Sequence, residues 1–107
     1  MISDPMWEDS FVKGQIIEDS TFNKYRTILM QINEPIGIFS YPYRMFFFKE
    51  NEIVPTLILS LEIGMMFGTC ALGGHNISEH ITYGNADTNM TIEDFKKWAL
   101  SVAQSEL

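Results

Sequence analysis

The chain has 107 residues, 46% of them hydrophobic and 20% charged, with a formal net charge of −7 and a pI of about 4.6. That length and balance suit one globular domain and exclude a disordered chain. The acidity excludes nucleic-acid binding through a basic patch, because a phosphate backbone would be repelled; a basic protein would be attracted and steered instead.

Asp4-Pro5 opens a short helix, with Asp4 able to cap it and Pro5 suited to its first position. Trp7 and Phe11 give this helix an apolar side and Gly14 ends it. Residues 15–18 read as a brief extended segment. A second helix is predicted over residues 21–32, because Phe22, Tyr25, Ile28, Leu29 and Ile32 recur at helical spacing. A long hairpin is the competing reading of that stretch. Asn33-Glu34-Pro35 ends it, since the residue before proline avoids helical geometry.

The apolar sequence is concentrated between Tyr43 and Tyr83. Four antiparallel strands are predicted there, over residues 43–49, 53–62, 65–72 and 77–83. In the first, Met45 and Phe47 fall on one face and Phe46 and Phe48 on the other, as in a central strand or one covered by a helix and a partner. In the second, Leu57, Leu59 and Leu61 alternate with Ser60 and Glu62, a period of two. Turns are expected at Glu50-Asn51-Glu52, at Ile63-Gly64 and from Gly73 to Asn76. Residues 53–72 are long enough to span a bilayer, but Glu62 would lie near its centre, Pro55, Gly64 and Gly68 disfavour a helix, and no basic cluster flanks it. No membrane association is therefore expected.

Thr91 starts the last helix, over residues 92–105. Ile92, Phe95, Trp98, Ala99, Val102 and Ala103 form its apolar stripe, and Asp94 stands where a capping box has Glu or Gln. The fold class expected is α+β: a four-stranded antiparallel meander packed with two N-terminal helices and one C-terminal helix, in a single domain over residues 1–107.

Catalytic signatures are sparse. Gly73-Gly74-His75 lacks the later Gly and Lys of a phosphate loop. Cys70 is the only cysteine, which excludes an internal disulfide and a Cys-x-x-Cys zinc site and fits a reducing cytosol. The opening residues have no basic start or apolar core of a signal peptide, so a cytoplasmic location is expected and the two Asn-x-Ser/Thr sequons are read as chance. His75 and His80, with Glu79 or Asp87, are candidates for a two-His, one-carboxylate metal site. Their spacing of five is not that of helical zinc motifs. Cys70 in an apolar run reads as a small core residue. No catalytic residue, metal or cofactor is assigned.

The acids are uneven. Asp4, Glu8, Asp9, Glu18 and Asp19 lie in the first nineteen residues against one lysine, Lys13, with Trp7 and Phe11 among them. Acidic groups around aromatic anchors suit a binder of a basic protein. These seven residues are the predicted partner-binding set. In its general profile the sequence resembles small bacterial immunity and inhibitor proteins, which neutralise a toxin domain by binding it. The resemblance implies a cytosolic binding protein, not an enzyme, that occludes the active site of a basic partner such as a toxin nuclease. The alternatives are a small metal- or thiol-dependent enzyme around Cys70, His75 and His80, and a chaperone-like homodimer using the Phe46/Phe48 face.

Overall fold

The computed structural model describes residues 2–107 and corrects the predicted architecture. It is a seven-stranded antiparallel sheet with one short N-terminal helix and one long C-terminal helix. The order of elements is α1 (Asp9–Lys13), β1 (Gly14–Phe22), β2 (Tyr25–Ile32), β3 (Phe39–Ser40), β4 (Tyr43–Phe48), β5 (Leu57–Gly64), β6 (Thr69–Asn76), β7 (His80–Asn85) and α2 (Ile92–Glu106). The sheet runs β1-β2-β4-β5-β6-β7, and β3 pairs with the far end of β5.

The second predicted helix is instead the β1–β2 hairpin. Its apolar residues do fall at helical spacing, but Asn23 and Lys24 adopt positive φ (50° and 72°) and close a two-residue turn between Phe22 and Tyr25. A tight turn of that handedness matches the twist of paired strands. Ile16, Ile17, Thr21, Thr27 and Ile28 are β-branched and suit the extended chain. The first predicted helix shrinks to five residues, preceded by a turn in which Asp4 Oδ1 accepts from the Met6 amide at 3.0 Å.

The predicted strands are also shifted. Residues 53–56 belong to the loop before β5, Met65 to Gly68 form the turn after it, and the expected turn at Gly73 to Asn76 is part of β6. Gly73 and Gly74 are strand residues because side chains from β5 lie across them. A Cβ on Gly73 would overlap the Glu62 carboxylate, and one on Gly74 would sit 2.8 Å from Leu59 Cδ2. Glycine inside a strand marks such a close approach as readily as a turn.

Both faces of the sheet are covered. Leu29, Met45, Phe47, Leu57, Leu59 and Leu61 project to one side, where Phe95, Ala99 and Ala103 of α2 pack on them. Alanines at two of these three contacts let the helix lie close. Thr91 caps α2, its hydroxyl accepting from the Asp94 amide at 3.2 Å. On the other side Ile28, Met30, Phe46, Phe48 and Ile58 meet the N-terminal segment, through Ile2, Trp7 and Phe11. The Phe46/Phe48 face is thus covered from within the chain: Phe11 lies 4.9 Å from Phe46, ring to ring. Among the described residues no helix is long and apolar enough to cross a membrane, and the stretch with that length folds as β5 and β6.

Candidate functional site

The N-terminal face is apolar over β2 and β4 but polar toward β5, β6 and β7. Alternation along each strand sets this. Arg44 pairs with Ser60, and Ile58 with His75, which in turn pairs with His80. All of them point to the side covered by the N-terminal segment, as does Glu62, two residues beyond Ser60.

Arg44 is fully buried (0% exposed) and each guanidinium nitrogen has a partner. Nη2 meets Asp4 Oδ2 at 2.7 Å, Nη1 donates to Ser10 Oγ at 3.0 Å, and Nε donates to Ser60 Oγ at 2.9 Å. The guanidinium carbon also lies 4.1 Å from the centre of the Tyr41 ring. A buried charge satisfied in this way pins the N-terminal segment to the sheet; removing one partner would strand the other.

Beside this pair lies a carboxylate with two imidazoles. Both oxygens of Glu62 lie 3.0 Å from His80 Nε2, and Oε2 lies 4.0 Å from His75 Nε2. The two imidazole rings are 4.7 Å apart. One ligand atom from each of the three residues lies within 4.8 Å of the others. The space is made by Gly73, over which the Glu62 carboxylate lies on its way from β5 to β7. Ser3 Oγ sits 3.1 Å from His75 Nδ1, held there by the Ser3 amide donating to the Asn76 carbonyl at 3.1 Å. His75 Nε2 is buried and has no hydrogen-bond partner. Phe39 and Tyr41 complete a cavity of about 270 Å³ over Glu62, His75 and His80.

Burial sets the protonation states. It raises the Glu62 carboxyl above its ordinary range, against the lowering effects of the His80 hydrogen bond and the nearby His80 and Arg44 charges. It lowers His75 to about 4, aided by Arg44 and His80 and opposed by Asp4. His75 is therefore a neutral imidazole at pH 7. Tyr41 is raised, first by burial.

The carboxylate beside the histidines is not the one that the sequence suggests. Glu79 and Asp87 were the expected companions of the histidines, yet Glu62 holds that place. Its signal was an acid on the inner part of an otherwise apolar strand. Helical spacing is not the relevant measure for the histidines. Residues five apart across a hairpin stand opposite each other on one face, as His75 and His80 do. Cys70 is not brought to the site. An odd number of residues from His75 along β6, it faces α2, and burial followed by the Asp87 charge raises its thiol.

The predicted partner-binding set divides. Asp4 is committed to Arg44, and Trp7 and Phe11 pack inward on Phe46. Glu8 is exposed and Asp9 half-buried on α1. On β1, Glu18 pairs with Lys96 at 2.6 Å and Asp19 with Arg26 at 2.7 Å. The Arg26 hydrogen bond lowers the Asp19 carboxyl. The apolar residues exposed beside these acids are Val12 (84% exposed), Ile16 and Ile17. Comparison with protein-family models, with curated proteins and with solved structures finds no match.

Proposed function

We propose that the chain is a small acidic binding protein that engages a basic protein partner through the flank formed by α1 and the edge strand β1. The observation that carries this reading is the company kept on that flank: exposed Val12, Ile16 and Ile17 beside Glu8 and Asp9, with Glu18 and Asp19 next to them in ion pairs with Lys96 and Arg26. Apolar contacts within an acidic surround give an interface both a desolvated centre and a steering field. As the outer strand of the sheet, β1 also has backbone groups free for an added strand. The anchors in this reading are Val12, Ile16 and Ile17, not Trp7 and Phe11. The mode of action is inhibition, the partner being a toxin domain such as a nuclease whose active site the flank occludes.

The test has two stages. The protein is used as bait in its own host, with products of neighbouring genes as the first candidates, and the partner's association is then followed at rising salt. A basic partner is expected, its association rate falling by about tenfold or more as salt screens the acids. Glu8→Lys with Asp9→Lys should slow association, and Val12→Asp should speed dissociation. Failure to recover any partner, or a partner indifferent to all three substitutions, would overturn the reading.

A further inference from the structure

The binding surface leaves unexplained why a carboxylate and two imidazoles converge on the other side of the molecule. In a folded protein a buried ring nitrogen without a partner needs a cause, because it has given up its hydrogen bonds to water without replacing them. His75 Nε2 is such an atom, and it points toward Glu62 and His80. We propose that Glu62, His75 and His80 form a binding site for one divalent transition-metal ion of the zinc or cobalt type, with at least one coordination position open to the Phe39/Tyr41 cavity.

Four features of the site support this assignment. The first is the donor set. Two imidazole nitrogens and one carboxylate suit borderline ions such as Zn²⁺, whereas Ca²⁺ and Mg²⁺ prefer oxygen ligands alone. The second is distance. Bonds of about 2.0–2.2 Å at tetrahedral angles place ligand atoms about 3.3–3.6 Å apart. The two carboxylate–imidazole contacts of 3.0 Å and 4.0 Å bracket that value and all three ligand atoms lie within 4.8 Å, so the shell closes when the imidazoles rotate toward one another.

The third feature is orientation. A metal at His75 Nε2 requires the tautomer with the proton on Nδ1, which then donates to Ser3 Oγ. Metal-bound histidines are commonly oriented by a partner on the second nitrogen. Ser3 is a positioning residue in this sense, and it couples the site to the docked N-terminal segment. The fourth is the space above Gly73, which lets Glu62 reach both histidines. The nearby Arg44 charge would oppose a cation, but Asp4 offsets it at 2.7 Å. Binding replaces the Glu62–His80 hydrogen bond by two metal–ligand bonds: the proton on Nε2 leaves and the neutral His80 ring carries one on Nδ1 instead, so a net proton is released to solvent only from a His80 or Glu62 that held an extra one beforehand.

The experiment uses the whole protein, purified without chelator, stripped and then titrated with Co²⁺ and Zn²⁺. One equivalent is expected, with visible Co²⁺ absorption of a tetrahedral or five-coordinate ion that Zn²⁺ bleaches, and no competition from Ca²⁺. His80 is half-exposed, so His80→Ala should leave the fold intact, verified by its unfolding curve, and reduce affinity by about 100-fold or more. Glu62→Gln should do the same, and Ser3→Ala should cost about tenfold. Absence of stoichiometric binding to folded wild type would overturn the proposal. So would binding that survives both His80→Ala and Glu62→Gln, since the ion would then lie elsewhere.

Discussion

The two faces of the sheet are built on different principles. Under α2, Leu29, Met45, Phe47, Leu57, Leu59 and Leu61 meet Phe95, Ala99 and Ala103, with no charged group among the buried residues of that cluster. Under the N-terminal segment, an apolar half around Phe46 adjoins Arg44, Asp4, Glu62, His75 and His80. The first arrangement is stabilised by area removed from water, which tolerates many substitutions of similar volume. The second depends on each polar group keeping its partner. A fold that needed only stability could have covered both faces alike; the polar half instead gathers the ligands of the proposed metal site.

The largest effect should come from emptying the apolar face. Phe95→Ala removes a fully buried ring and is expected to cost about 3–5 kcal/mol in urea unfolding, with no compensating second substitution. On the polar face Asp4→Ala leaves the Arg44 charge buried without its carboxylate, at about 3 kcal/mol. Here a second change should help: adding Arg44→Met to Asp4→Ala is expected to restore part of the loss, because it removes the unpaired buried charge, although Ser10 and Ser60 lose the hydrogen bonds that Arg44 gave them. If the double variant is no better than Asp4→Ala alone, the contrast between the faces fails.

Neighbouring glycines sharpen the same comparison. Gly73→Ala would meet the Glu62 carboxylate, and Gly74→Ala would meet Leu59 Cδ2 and the Ile58 carbonyl oxygen, each expected to cost about 1–3 kcal/mol. Only the first should be relieved by Glu62→Ala, as a double-mutant cycle would show. A coupling energy near zero for Gly73 and Glu62 would mean that the carboxylate does not lie over Gly73.

The smallest effect concerns Tyr83, which packs on Trp98 at 5.5 Å and donates to Glu106 Oε1 at 3.2 Å. Burial, with the Glu106 and Glu79 charges, pushes its hydroxyl up to about 12. A folded-state value above the ordinary 10.0 means that the protonated form is favoured on folding, so this contribution is complete below pH 10 and is lost as pH rises toward 12. Absorbance titration should show one tyrosine ionising last, and Glu106→Gln should bring it earlier. An unchanged titration would remove Glu106 from the environment of Tyr83.

The sequence was most legible where local signals agreed with the tertiary outcome. Thr91 with the Phe95–Ala99–Ala103 stripe marks α2, and the two apolar faces of residues 43–49 mark a strand, observed over Tyr43–Phe48. It was least legible at residues 14–32, where helical spacing of apolar residues favours a helix over the competing hairpin that the chain forms. The turn there uses Asn23-Lys24, not the Asn-Gly pair that usually announces such a turn. The candidate site was legible only in part. His75 and His80 stand out in the sequence, but Glu62 joins them through the β5–β6 register and Ser3 through the return of the N-terminal segment, 72 residues away in the chain. No local pattern carries either relation.

The measurement closest to the central claim is a long-range nitrogen–proton correlation spectrum of the histidine rings at pH 7, in the stripped protein and after one equivalent of Zn²⁺. His75 should be neutral, with its proton on Nδ1 and a bare Nε2, and Zn²⁺ should shift the Nε2 signals of His75 and His80 together. A His75 that is charged, or that carries its proton on Nε2 and does not respond to Zn²⁺, would contradict the account.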